Sequence, residues 1–312
     1  MSKFFITGVA GFIGSNLAEA ILELGHTVVG VDNFLTGKPE NMTSFKDDIQ
    51  FVKGDIRDKD LMLKLCEGVD YVLHHAALAS VPWSVKDPVL AHDHNVTGTL
   101  NVLMAAREQS VKRVVTAVTS AAYGDSDQLP SREDQPAILL SPYAATKLMC
   151  EHYLTLFSRL YGLPCTGLRY FNVFGPRQDP QSAYAAAIPI FTKKIMDNER
   201  PLIFGDGEQT RDFVYIEDVI QANLKACEAG SEADGKIFNI GTGSRVSVND
   251  LMTQILTLQG SDIEPIHGDV RRGDAPHSLA DITSARKILG YEPKFDMASG
   301  LKKAIGWYRD NL

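Results

Sequence analysis

Tyr143 and Lys147 stand four residues apart in the run Ser141-Pro142-Tyr143-Ala144-Ala145-Thr146-Lys147. Pro142 suits the first turn of a helix, where its missing N–H costs nothing, and Ser141 is a good cap in front of it. Residues four apart on the helix that follows share a face, so the phenol and the ammonium point the same way. A phenol with its ordinary pKa of about 10 is a poor base at neutral pH. An ammonium held beside it favours the phenolate, and the pair can then take a proton in one half-reaction and return it in another. Tyr-x-x-x-Lys also arises by chance on ordinary helices, so its meaning depends on the elements around it.

Those elements begin at the first residues. Phe4-Phe5-Ile6-Thr7 reads as a strand and runs into Gly8-Val9-Ala10-Gly11-Phe12-Ile13-Gly14. An amphipathic segment follows over 15–24 and stops at Gly25, and the apolar run 28–31 then ends on Asp32. Strand, glycine turn, helix, strand and acid in that order form a dinucleotide-binding unit. The glycines let the backbone turn tightly and approach a pyrophosphate, and the helix N-terminus offers its N–H groups to the phosphates. Gly8, Gly11, Phe12, Ile13 and Gly14 are therefore assigned to the cofactor. Asp32, with Asn33 beside it, stands where a carboxylate accepts hydrogen bonds from the adenosine ribose and repels a 2′-phosphate, which favours NAD over NADP.

Composition narrows the partners. With 312 residues the chain can hold one large domain or two lobes around a shared sheet. Hydrophobic content of 44% and charged content of 22% fit a soluble globular protein. A net charge of −8 argues against a nucleic-acid surface, so an anionic ligand must be met by a few placed arginines. The N-terminus lacks the layout of a signal peptide and no apolar run reaches the length of a membrane span. Cys66, Cys150, Cys165 and Cys227 show no Cys-x-x-Cys pairing and read as reduced core thiols, and no metal site is assigned. The sequons at Asn41 and Asn95 then have no meaning, and a cytoplasmic protein is expected.

The glycine spacing is Gly-x-x-Gly-x-x-Gly rather than Gly-x-Gly-x-x-Gly. With Tyr-x-x-x-Lys downstream, the chain resembles the extended short-chain dehydrogenase/reductase family over nearly its whole length. The resemblance implies an α/β fold: a Rossmann-type doubly wound parallel sheet with a smaller C-terminal substrate-binding lobe. The NAD-binding domain would take 1–171 and a returning segment near 213–241, and the UDP-sugar lobe 172–212 and 242–312. Further strands are expected at 49–52, 69–73, 113–118 and 166–172. Helices are expected over 87–109, over 183–196 with an interruption at Pro189, and within 282–312.

Several roles follow from the same resemblance. Asp55 and Ile56 would lie along the adenine. Ala76 and Ala77, after His74-His75, would let the dinucleotide pass close to the backbone, the histidines being structural. Ser80 would face nicotinamide and sugar, and Asn95, counted with the cofactor residues, would steady the strand carrying the active site. Thr119 matches the catalytic hydroxyl, with Ser120 beside it. Asn172 would contact sugar or diphosphate. Arg211 and Arg271 would clamp the diphosphate, as a guanidinium fork suits, and Asp274 would bind the uridine ribose.

The resemblance implies a UDP-hexose 4-epimerase using NAD, with Tyr143 and Lys147 moving the proton of the sugar 4-hydroxyl. Ser278 stands where relatives restricted to UDP-galactose and UDP-glucose carry a large Tyr, which leaves room for a 2-acetamido group. Gln178 and Asp179 after Arg177 also look like enzymes preferring N-acetylated sugars, so UDP-GlcNAc/UDP-GalNAc interconversion is favoured. The alternatives are a UDP-glucuronate 4-epimerase, an NDP-sugar 4,6-dehydratase and a non-catalytic NAD-binding sensor. Ser120-Ala121 follows Thr119 where dehydratases carry an Asp-Glu pair, which argues against dehydration. A homodimer through the 87–109 and Tyr143 helices is expected.

Overall fold

A computed structural model describes residues 1–180, 187–270 and 276–311. Arg271 and Asp274, and the first part of the helix expected from 183, lie outside the described residues.

β1 (Lys3–Thr7), α1 (Phe12–Glu23) and β2 (Thr27–Asp32) form the opening unit, followed by β3 (Gln50–Lys53), α2 (Lys59–Leu65) and β4 (Tyr71–His74). α3 (Val81–Lys86) and α4 (Pro88–His92) lead into α5 (Gly98–Glu108), and then come β5 (Arg113–Thr119), α6 (Pro142–Tyr161) and β6 (Cys165–Tyr170). Every strand of the main sheet is parallel, in the order β3-β2-β1-β4-β5-β6, with β11 (Lys236–Ile240) added beside β6. Helices cover both faces, so β5 reads Arg-Val-Val-Thr-Ala-Val-Thr with six of its seven residues buried. That near-continuous burial is what a parallel strand covered on both sides requires. The order reverses between β1 and β4, and ligands of doubly wound sheets bind in the crevice at that point.

The expected strand at 166–172 divides. β6 stops at Tyr170, Phe171 N donates to Ile240 O (3.0 Å), and Asn172 N donates to Asp212 O (3.0 Å). β7 (Asn172–Phe174) thus leaves the main sheet and pairs with β10 (Phe213–Tyr215), while β8 (Leu202–Phe204) and β9 (Thr210–Arg211) intervene in the chain. Two further small ladders join β9 to β12 (Val246–Ser247) and β8 to β13 (Ile266–Gly268). Among the described residues α7 (Ala187–Met196) runs past Pro189 without interruption. α8 (Ile216–Glu228), α9 (Val248–Gln259) and α10 (Met297–Asn311) complete the second lobe.

The helix expected over 87–109 is capped by Asp87, whose Oδ1 accepts from Leu90 N (2.9 Å). Between α4 and α5 it widens into a π turn over Asp93–Thr97, a device often found at functional sites.

One apolar core joins the lobes. Phe4, Ile6, Leu17 and Leu168 under the sheet belong to the same buried cluster as Leu251, Ile255, Leu301 and Tyr308. The opposite face of the sheet has its own core, with Met62, Leu103 and Leu154 from α2, α5 and α6. All four cysteines are free and buried, and burial pushes the Cys66 and Cys165 thiols up to about 12. Among the described residues no helix is long and apolar enough to cross a membrane.

Candidate active site

The glycine turn closes over a space that side chains cannot share. Gly8 has φ +74°, and a Cβ there would lie 2.8 Å from Ala76 N; one at Gly14 would lie 2.1 Å from Gly8 O. α1 starts at Gly11, one turn earlier than the amphipathic pattern suggests, so Phe12, Ile13 and Gly14 form its first turn. Gly11 supplies no side-chain cap and that turn carries no acid, unlike α2 and α6, which are capped by Asp58 and Ser141. An uncapped N-terminus at a glycine turn is suited to an anion such as a pyrophosphate.

Asp32 ends β2 and is 7% exposed. It accepts from Ala10 N (3.0 Å) and Phe34 N (2.8 Å), and burial pushes its pKa up against those bonds. Asp32, Asn33, Ile56, Ala76 and Ala77 line one groove with Gly8 and Gly11. Asp55 does not line it. Its carboxylate takes Arg57 Nε (3.0 Å) and Asn33 Nδ2 (2.9 Å), and against the cost of burial these bonds hold it well below the usual carboxylate range. Asn33 thus fixes Asp55, and Ile56 supplies the apolar contact.

α6 is held at its start by three segments. Ser141 Oγ accepts from Ala144 N (3.2 Å), and Tyr143 N donates to Ser84 Oγ (3.0 Å) on α3. Thr146 Oγ1 donates to Tyr143 O (2.8 Å) and accepts from Asn95 Nδ2 (2.9 Å). Asn95 Oδ1 also accepts from Leu78 N (2.8 Å). The π turn brings that amide between the β4 loop and α6, and Asn95 is buried in protein contacts. These bonds tie the loop after β4 to α6 beneath the site.

Lys147 is 4% exposed, and its Nζ donates to Ala117 O (2.8 Å). Burial pushes the ammonium's pKa down. Burial likewise pushes the Tyr143 phenol up, and a hydrogen bond with Thr119 pulls it the other way. Thr119 Oγ1 also accepts from Ala121 N (3.1 Å). Thr119 and Ser120 both line the second cavity beside Tyr143.

Two cavities meet at these groups. The first, of about 700 Å³, is lined by Gly8, Gly11, Phe12, Ile13, Gly14, Ala77 and Lys147. The second, of about 770 Å³, is lined by Ser80, Ser120, Arg211 and Ser278. Thr119, Tyr143, Tyr170, Phe171 and Asn172 border both. Arg211 is braced by bonds from Nη1 to Thr210 O (2.9 Å) and Pro276 O (3.2 Å). Among the described residues no Asp or Glu lines the second cavity, and Arg211 is its only Lys or Arg.

Sequence reasoning passed over Ser84, Lys38 and His277, which border or support these cavities. Thr36-Gly37-Lys38 after the acid of β2 was a signal for the first cavity; the roles of Ser84 and His277 depend on contacts between distant segments. His74 is held inside the fold, whereas His75 lines the first cavity and bonds Tyr170 OH through Nε2 (3.0 Å). His74 bonds Thr7 Oγ1 (2.7 Å) and Thr99 Oγ1 (2.9 Å), and burial drives its pKa well down.

A dinucleotide groove thus opens onto the half-buried Tyr143 and Thr119, with a second cavity beyond them. Residues 4–241 match the NAD dependent epimerase/dehydratase family. A putative UDP-glucose 4-epimerase of Methanocaldococcus jannaschii is 41% identical over 98% of both chains. UDP-glucose 4-epimerase of Thermotoga maritima, solved with UDP-glucose, superposes with a TM-score of 0.94 at 39% identity over 99% of both chains. UDP-N-acetylglucosamine 4-epimerase of Methanobrevibacter ruminantium, solved with UDP-N-acetylmuramic acid, gives 0.95 at 37% identity over 100% of this chain and 99% of its own. The chain belongs to the NAD dependent epimerase/dehydratase family, and its cofactor is NAD.

Proposed function

We propose that the protein is a UDP-hexose 4-epimerase acting on UDP-GlcNAc and UDP-GalNAc, with UDP-glucose and UDP-galactose as further substrates. The observation that carries this reading is the shared border of the two cavities, where Tyr143 and Thr119 face both. NAD held by the glycine turn and Asp32 supplies the hydride acceptor and, in the return step, the donor. Tyr143 takes the proton of the sugar 4-hydroxyl as the 4-ketone forms, and gives it back when hydride returns to the other face. Thr119 shares that proton, Lys147 and Ser84 hold the phenol's helix, and Ser120 and Asn172 orient the sugar. Arg211, with Arg271 and Asp274 from outside the described residues, anchors the nucleotide while the keto sugar turns over.

Two features separate this reading from its rivals. Elimination of water needs an acid, and the described wall of the second cavity holds no carboxylate. A glucuronate carboxylate needs a cation of its own, whereas Arg211 is already claimed by the diphosphate. Ser278 lines the cavity as a small residue, its N–H bonded to Thr210 O (3.0 Å), which favours an acetamido group. The test is to compare UDP-GlcNAc, UDP-glucose and UDP-glucuronate with the native protein and with Ser278→Tyr. The native protein should turn over UDP-GlcNAc, and the variant should lose N-acetylated sugars far more than UDP-glucose. Equal losses would remove the role of Ser278.

A homodimer is part of the proposal. Met149, Tyr153, Leu156 and Leu160 recur on one face of α6 at the 3–4-residue spacing of a helix seam, and Leu160 is 68% exposed. Val85 and Val89, also exposed, add to the apolar surface of the neighbouring helices.

A further inference from the structure

Residues 176–179 cross the rim of the dinucleotide cavity and are tied to its opposite wall at four points. Asn16 Nδ2 on α1 donates to Pro176 O (3.1 Å), and Arg177 Nη2 pairs with Glu19 Oε2 (2.7 Å) and donates to Ser44 Oγ (3.3 Å). Lys38 Nζ pairs with Asp179 Oδ2 (2.8 Å). Lys38 is itself seated on the glycine turn, its N–H donating to Ala10 O (2.9 Å). Lys38, Arg177, Gln178 and Asp179 all line the cavity that holds Gly11, Phe12 and Ile13. The Lys38–Asp179 pair stays partly exposed, 45% and 26%, which places it at the rim.

The backbone records how firmly this segment is held. Arg177 has φ +69°, a left-handed conformation that a non-glycine residue keeps only where its surroundings fix it. Among the described residues, buried Arg177 Nη1 and Gln178 Oε1 have no hydrogen-bond partner, so the segment presents polar groups toward the cavity it lines.

We infer that 176–179 is a strap holding NAD in its groove, fastened by the Lys38–Asp179 and Arg177–Glu19 ion pairs and opened only when NAD exchanges. The strap joins the first turn of the second lobe to the loop after β2, so it lies across the path between the glycine turn and solvent. Retained NAD suits any reaction in which hydride leaves and returns, but the strap concerns cofactor exchange alone and stands apart from the choice of sugar.

The experiment follows NAD itself. Holoenzyme loaded with radiolabelled NAD is chased with excess unlabelled NAD, and bound label is counted over time. Lys38→Gln and Asp179→Asn should each speed release about two- to fivefold, the range of an exposed ion pair. Because the two share a contact, the double variant should speed release by less than the product of the two single effects. The exchanged pair, Lys38→Asp with Asp179→Lys, should restore slow release. Salt should speed release from the native protein more than from Asp179→Asn, in which only the Arg177–Glu19 pair is left to screen. Lys193→Gln, which breaks the exposed Lys193–Asp197 pair on α7, serves as the control and should match the native protein. Release unaltered in both single variants would overturn the strap. So would faster release from Lys38→Gln alone, which would mean that Lys38 touches the cofactor directly.

Discussion

At the scale of the residue, the proposed chemistry rests on a single phenol. Tyr143 is half-buried and lines both cavities beside Thr119. Tyr143→Phe removes the proton carrier and keeps the packing, so turnover should fall about 10²–10⁴-fold. NAD content, read from the absorbance of the purified protein, should be unchanged; full activity in this variant would reject Tyr143 as the base. The pH dependence has a defined sign. The base is the deprotonated phenol, whose pKa burial raises, so kcat/KM should climb with pH until the phenol has titrated. Removing the neighbouring ammonium with Lys147→Met takes away charge that favours the phenolate. Its acidic limb should move to higher pH, and an unmoved limb would separate Lys147 from the phenol. Tyr143, Lys147 and the glycine turn were legible in the sequence because each depends on spacing within a single turn or helix. Ser84, whose hydroxyl caps the Tyr143 N–H from α3, was not, since nothing near residue 143 in the chain announces it.

At the scale of the element, α6 and β6 must keep a fixed relation for the phenol to meet the second cavity. A buried pair links them: Arg169 Nε and Nη2 donate to Glu151 Oε1 (2.7 Å) and Oε2 (2.6 Å), and Nη1 donates to Tyr123 OH (2.8 Å). Tyr123 OH in turn donates to Asn239 Oδ1 (2.6 Å) on β11. Arg169→Met leaves the Glu151 carboxylate buried without its partner and should cost about 3–5 kcal/mol in denaturant unfolding. Adding Glu151→Leu removes the stranded charge and should recover most of that loss. If the single variant were as stable as the native protein, the pair would not be what couples these elements. The strand–helix alternation of the first lobe was readable from apolar runs and their punctuation. The π turn at Asn95 was not, since it is a slip of hydrogen-bond period inside a sequence that still looks helical. The division of 166–172 also escaped, because Phe171 and Asn172 are drawn off by partners near 240 and 212.

At the scale of the whole molecule, both lobes share one apolar core, so the substrate cavity is a seam within a continuous solid. The doubly wound sheet was legible because its opening unit and its Tyr-x-x-x-Lys helix are both local signals. The second lobe was less so, because it is assembled from short ladders between segments far apart in the chain. The proposed dimer belongs to this scale. Leu156→Glu with Leu160→Glu should convert a dimer to a monomer in sedimentation equilibrium, whereas a native protein already monomeric would remove that part of the account. The central claim is that one chain carries the whole cycle, oxidising C4 and reducing it again with NAD that stays in place. The most direct measurement mixes purified protein with UDP-GlcNAc, adds no NAD, and resolves the C4 epimers by proton NMR. The account predicts that UDP-GalNAc accumulates to an equilibrium mixture. Untouched UDP-GlcNAc, with UDP-glucose and UDP-glucuronate equally inert even after NAD is supplied, would contradict it.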